Sequence, residues 1–564
     1  MKKVGKILAL LLVCVMIVSI AACNKTDNNN NNNATNADGS NNSTTSNDNS
    51  NTQNSNSNND NSSNSNSNSS NTNQNTDNSQ QSGGRDTLTV AIPADTGSLD
   101  PAVAMSNLTP TTCVMQGMWD QKFNGDLIFL LATDIEYITP DHWIIPLREG
   151  VKFNNGNDFT ASDILFSLNI YRNSGINATK AQVIDLDRTV ALDDYTIDLY
   201  WDYWRTNQWG ILSDMLVYDE ESYDPEIAGS RPIGTGPFVV TEYVVNSHIN
   251  LERRDDYWGE QPAMKYINFK VMSETSQVLN AIETKELDVG LLARSDVEYA
   301  SSLPGVYTEA RYEGNWTTIV FNIWEDSVFY HNPEARYAVC YAIDTQAIIN
   351  LVYLGQASVM HSPITTTCLD YEDRFNDRHD TYATGYDVAK AKQLADSNGL
   401  TGKDLVIITN GLADQVTVAE LLQNMLKDIG VSSSINNYDM AGYNAARDDP
   451  HGGWDIAIAS AINPGNRVAG TLVNGIRFYP NMQLPGLFTE LDRFLELMMP
   501  AFMEADDQER SNIYYELFGL YGQACFSFAL CDIENTYAYA DDIDYDSVIY
   551  RLHGLVRYCD VKFK

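Results

Sequence analysis

Carboxylates, guanidiniums and aromatic rings crowd into the stretch Glu252-Arg-Arg-Asp-Asp-Tyr-Trp-Gly-Glu-Gln-Pro262. Residues of these types can build an acid/base pair, a ligand clamp or a decorated turn. Charge density does not choose among them, because adjacent carboxylates and arginines on an exposed connector are solvated and contribute little. A catalytic pair needs a pocket and a second partner, and the neighbouring sequence supplies neither. The 7 histidines, His142, His248, His331, His361, His379, His451 and His553, are scattered, without the HExxH spacing that puts two imidazoles on one helix face. The sequence has no GxSxG elbow and no GxxxxGK[ST] loop, so neither a nucleophile elbow nor a phosphate cradle is indicated. A secreted glycosidase remains a remote enzyme alternative, since its two carboxylates need not be close in sequence. Gly234-Thr-Gly236 lacks the third glycine of a dinucleotide fingerprint, and Pro237 leads into a strand rather than opening a helix.

The elements that must position such groups begin with an address. Lys2, Lys3 and Lys6 precede an apolar run from Ile7 to Ile20, followed by Ala21-Ala22-Cys23, the basic, apolar, small-residue order of an export signal. The run is short for a bilayer span. Ser19-Ile-Ala-Ala-Cys23 resembles a bacterial lipobox, which implies that residues 1–22 are removed and Cys23 is lipidated. Asn24 to Gly84 is nearly all Asn, Ser, Thr, Asp and Gln, too polar to offset the entropy of ordering. As a flexible coil it would reach on the order of 45 Å, so residues 23–85 are expected to form a lipid-anchored tether. Six further cysteines, Cys113, Cys340, Cys368, Cys525, Cys531 and Cys559, have no framework spacing; a Cys525–Cys531 bridge is one option. The formal charge of −39 lies almost entirely in the body, which argues against nucleic-acid binding and against charge attraction to anionic lipid.

The body, from about Asp86, is too long for one ordinary core and suggests two or three domains. Thr87 to Ile92 is a β-branched run, and Thr160-Ala-Ser-Asp163 reads as a capping box opening a helix through Tyr171. Val190 to Trp201 alternates as strands about an Asp193-Asp194 turn, Phe238–Tyr243 and Ile249–Glu252 form a hairpin, and Ile267–Met272 is a strand. Ser276 to Glu286 carries helical apolar spacing. Strands alternating with helices indicate an α/β architecture.

Five segments, in order, carry a resemblance: Pro146 to Ser167 (PLREGVKFNNGNDFTASDILFS), Pro232-Ile-Gly-Thr-Gly-Pro-Phe238, Leu251 to Gly259, Glu286-Leu-Asp-Val289, and Arg336 to Ile348 (RYAVCYAIDTQAI). The chain resembles the family 5 extracellular solute-binding proteins, the oligopeptide and dipeptide class that delivers ligands to ABC importers. The resemblance implies a periplasmic-binding-protein type II-like α/β fold of three lobes: residues 86–127 with 229–313 and 532–564, then 128–228, then 314–531, with a hinged ligand cleft between the first and third. It implies no catalysis, no cofactor, a monomer on the outer face of the cell membrane, and permease and ATPase partners. In such proteins the run from Leu251 to Gly259 turns the chain, so Asp255 and Asp256 are expected to bond backbone groups there, with Tyr257 and Trp258 packed beneath. Gly234 and Gly236 are expected near the lobe crossing, where glycine tolerates unusual angles.

The same resemblance places ligand contacts at Ser106 and Asn107, at Asn315 and Trp316 with Asn322 beyond, and at Asn463 and Arg467. Each has a plain alternative: Trp316 as core, Asn322 bonding backbone at a strand end, Arg467 facing water. Trp454 is expected to pack rather than touch ligand. Peptide binders of the family carry an aspartate after the late strand to pair with the ligand's ammonium; here Asn463 stands about there, and a neutral amide pairs less strongly with a buried cation. A peptide without a free amino terminus, an oligosaccharide stacked on indoles, or a peptide signal sensed without uptake are therefore alternatives.

Overall fold

Alternating burial along Thr87–Ile92 marks the first strand of the sheet on which the body is built. The computed structural model describes residues 85–564 apart from 105–107, 176, 204–205, 377–384, 450, 463–467, 469–488 and 552–554. Eleven strands join in one mixed sheet: β1 Thr87–Ile92, β2 Phe238–Val244, β3 His248–Arg253, β4 Tyr266–Val271, β5 Val289–Leu291, β6 Val306–Phe321, β7 Ala357–Val359, β8 Asp404–Thr409, β9 Ser432–Asn437, β10 Ile456–Ile462 and β11 Ser527–Ala540. Their order is β9-β8-β10-β6-β11-β5-β1-β4-β3-β2, with β7 also paired to β11. A separate antiparallel sheet of Glu136–Thr139, His142–Pro146, Thr196–Tyr200 and Val190–Asp193 lies off this path.

The apolar side chains collect in two large clusters. One draws on Leu88 through Val289 and again on Tyr539 through Val561; the other draws on Ile319 through Cys531. The long strands β6 and β11 pair antiparallel; β11 serves both clusters, with Tyr539 in the first and Phe528 and Leu530 in the second, and β6 adds Ile319 and Phe321 to the second. Their register shifts between Tyr312 and Trp316, where Gly314 has φ 74°, a left-handed bulge conformation that glycine adopts without steric cost.

The α/β architecture is as expected, and so are β1, the β2–β3 hairpin, β4 and the strands about Asp193-Asp194. The capping box forms: the Thr160 amide donates to Asp163 Oδ2 at 2.8 Å and opens the helix Ala161–Asn173. The helix expected over 276–286 is shorter, a 3-10 turn at Thr275–Gln277 and a helix at Val278–Glu283, because Lys285 turns left-handed at φ 60° to feed the chain toward β5. Among the described residues no helix is long and apolar enough to cross a membrane.

Two expectations need correction. The buried group in Leu251 to Gly259 that answers the backbone is Arg254, and of the two aspartates Asp256 meets its own backbone amide. Arg254 is 7% exposed, and its guanidinium donates to the carbonyls of Lys152 at 3.2 Å, Phe153 at 3.2 Å and Gly234 at 3.5 Å. Asp255 and Asp256 are exposed, and Asp256 takes the Arg254 Nε–H at 2.7 Å. Only the longer guanidinium reaches three carbonyls from the turn. Tyr257 and Trp258 do pack beneath, and both meet the Gln116 amide, at 3.0 and 3.2 Å. The second correction concerns Gly234 and Gly236, neither of which is among the glycines with positive φ. They are small because a Cβ would lie 2.2 Å from the Val114 oxygen at Gly234 and 2.6 Å from it at Gly236. Close approach to the helix Thr111–Val114, rather than backbone freedom, explains both.

Candidate ligand-binding site at the crossing strands

Ser106, Asn107, Asn463 and Arg467 lie outside the described residues. Asn315 and Trp316 stand on β6 just after its bulge, in register with Ile462 and Ala461 of β10. Trp316 is 2% exposed and packs against Met360 and Ala529, so its indole belongs to a small core beneath the crossing. Asn322, beyond the end of β6, donates to the Trp454 carbonyl at 2.8 Å and accepts the Trp324 amide at 3.1 Å. These bonds give Asn322 the backbone role named as its plain alternative. Trp454 packs with Val320, Ile408 and Tyr443 and donates its indole N–H to the Asp449 carbonyl at 3.1 Å. Of the described candidates, Asn315 and Trp316 share the crossing and Asn322 belongs to the far end of the strand.

The crossing holds a residue that sequence reasoning passed over. Asp532 of β11 pairs directly with Trp316 on one side and with Ser358 of β7 on the other, and directly opposed residues present their side chains on one face. Asp532 is 4% exposed. Its Oδ2 accepts the Thr365 hydroxyl, while its Oδ1 has no hydrogen-bond partner among the described residues. Burial raises its pKa to about 6, against the pull of the Thr365 hydroxyl and of the adjacent Ile533 amide, which lies outside hydrogen-bond geometry to Oδ1. Tyr312, just before the bulge, touches Ser358 and Glu534, and burial raises its phenol pKa. The patch thus joins Tyr312, Trp316, Ser358, Met360, Thr365 and Asp532. A carboxylate oxygen short of a donor, in surroundings that screen little, is suited to accept an N–H from a bound molecule, most strongly a cationic one. The signal in the sequence was a lone carboxylate breaking the mainly apolar run Cys525 to Ile533.

The opposite face of the crossing is braced rather than open. Thr317 and Tyr353 share a hydroxyl contact of 2.6 Å, Arg294 stacks its guanidinium on the Tyr353 ring at 5.0 Å, and it pairs with Asp414 at 2.7 Å. Among the described residues no group of three or more His, Cys, Asp or Glu is placed to hold a metal ion.

Residues 126–471 match the family described as bacterial extracellular solute-binding proteins, family 5. The chain belongs to that family. Heme-binding protein A of Haemophilus influenzae is 26% identical over 357 residues, 55% of this chain and 63% of that protein. Oligopeptide-binding protein AppA of Bacillus subtilis is 22% identical over 314 residues, 51% of this chain and 56% of that protein. The matches therefore span less than two thirds of either relative. The crystal structure of a putative peptide binding protein AppA from Clostridium difficile superposes with a TM-score of 0.74 at 18% identity, covering 85% of this chain and all of that one. That likeness is one of fold, and the fold is the α/β architecture expected of a family 5 solute-binding protein.

In this family 5 chain, the segments that carried the resemblance serve the scaffold. Arg254 ties three of them together through the carbonyls of Lys152, Phe153 and Gly234. Asp288 of the fourth accepts the Thr89 amide at 2.7 Å, and Arg336 of the fifth, fully buried, donates to the Ala524 carbonyl at 2.7 Å.

Proposed function

We propose that the chain is the solute-capturing subunit of an ABC importer, anchored through a lipid on Cys23 to the outer face of the cell membrane, and that its ligand is peptide-like. The lobes are 86–127 with 229–313 and 532–564, then 128–228, then 314–531, and the cleft closes about the crossing of β6 and β11. Two observations support a division there: the apolar core falls into two large clusters, and β11, which serves both, pairs with β6 across the bulge at Gly314. Closure follows from ligand affinity that is greater in the closed state. The closed form then docks on a permease and its ATPases, and the ligand leaves unchanged.

The observation that carries the ligand reading is the partner-short oxygen of Asp532 at that crossing. It is suited to a backbone N–H or an ammonium, and it offers a carboxylate where Asn463 offers only an amide. The relatives named for oligopeptide and peptide binding support the same class. Ser106, Asn107, Asn315, Asn463 and Arg467 are proposed to line the remainder, over the buried Trp316.

Mass spectrometry of small molecules retained by the purified protein, followed by calorimetric titration of what is found, tests this. A retained peptide-like amine or amide that rebinds unchanged supports it. Neutral sugars, or a saccharide cleaved on addition, would replace the peptide reading with an oligosaccharide receptor or a glycosidase.

A further inference from the structure

The six body cysteines are all buried, and two of them meet in a pair that their spacing in the chain does not suggest. The thiols of Cys340 and Cys525 lie 3.6 Å apart inside one of the two large cores. Cys531, the partner that sequence proximity offered to Cys525, stays on β11 and is not in that contact.

The backbone is held in place at this pair. The helix Pro333–Ala342 grips the end of the helix Asp507–Ala524: Arg336 Nε and Nη2 donate to the Ala524 carbonyl at 3.0 and 2.7 Å, and the Tyr337 hydroxyl donates to the Gly522 carbonyl at 2.8 Å. Cys525 caps that second helix in the left-handed conformation, φ 45° and ψ 44°, a position glycine fills without cost and other residues fill under strain. Its side chain is carried into contact with Cys340.

We propose that the folded chain closes one disulfide, Cys340–Cys525. The bridge forms by exchange with a disulfide-bearing oxidant: one cysteine attacks its sulfur and expels a thiol, and the second cysteine attacks the mixed disulfide and expels another. Two protein thiols and one oxidant disulfide become one protein disulfide and two oxidant thiols. The geometry is independent of the transport reading, which supplies only the oxidising setting outside the membrane. Burial raises the Cys340 thiol well above its usual pKa, so it attacks poorly once buried, and the bridge forms while the chain folds.

The test is to refold the full mature chain from denaturant in a mixture of oxidised and reduced glutathione, alkylate it, and map its peptides without reduction. The expected result is one peptide pair joining Cys340 to Cys525. Reductant added during refolding should return both to the alkylated form and lower the thermal midpoint. Cys340 and Cys525 alkylated after oxidative refolding, or either of them joined to another cysteine, as in a Cys525–Cys531 peptide, would overturn the proposal.

Discussion

Replacing Asp532 with asparagine should make the protein more stable at alkaline pH while weakening its grip on ligand. Burial lifts the carboxyl from 3.8 to about 6, and at about 1.4 kcal/mol per pH unit its ionisation costs about 3 kcal/mol more in the fold than in the unfolded chain. Because the folded pKa is raised, the group's contribution is fully favourable below about pH 4 and is lost as pH rises through about 6. The asparagine carries no charge. It keeps an acceptor for Thr365 but puts an amide N–H where Oδ1 had no partner, at a cost of about 1 kcal/mol. The variant should therefore be about 1 kcal/mol less stable than the parent at pH 4 and about 1 to 2 kcal/mol more stable at pH 8. Denaturant unfolding of both proteins at pH 4, 6 and 8 measures the difference, and calorimetry with the retained solute should show affinity reduced at least tenfold. A stability difference that stays constant across that pH range would refute the reasoning, as would unchanged affinity.

Two further substitutions probe the scaffold. Arg254→Met strands the carbonyls of Lys152 and Phe153 and should cost about 3 kcal/mol in denaturant unfolding, whereas Asp256→Asn, at an exposed carboxylate, should cost less than about 1 kcal/mol; equal costs would return the turn to its aspartates. Gly236→Ala drives a methyl to 2.6 Å from the Val114 oxygen and should cost about 2 to 3 kcal/mol, while an unchanged denaturation midpoint would show that the helix Thr111–Val114 can give way.

What could be read from the sequence was local. The capping box at Thr160, the β2–β3 hairpin and the alternation of β1 each depend on neighbours within a few residues, where period and turn chemistry act. The segments that pointed to the family were legible as motifs, but their physical work was not. Arg254 bonds Lys152 from 102 residues away, and no periodicity announces such a partner. The glycines of Gly234-Thr-Gly236 invited an explanation from backbone freedom, because the helix crowding them is contributed by a distant segment. Asp532 was read as the start of a returning tail; its burial becomes visible only when Trp316 and Ser358 pair on either side of it. The cysteine pair escaped for the same reason: Cys340 and Cys525 are 185 residues apart, and connectivity does not follow from spacing. Of the proposed ligand contacts, the sequence located the crossing through Asn315 and Trp316 and missed the carboxylate opposite them.

The central claim is a two-jawed body that closes on a solute and leaves it chemically intact. Small-angle scattering of the mature protein, recorded with and without the solute it retains on purification, tests this most directly. The account predicts a smaller radius of gyration in the loaded form and recovery of the same solute afterwards. An identical radius in both states, or a solute returned altered, would contradict it.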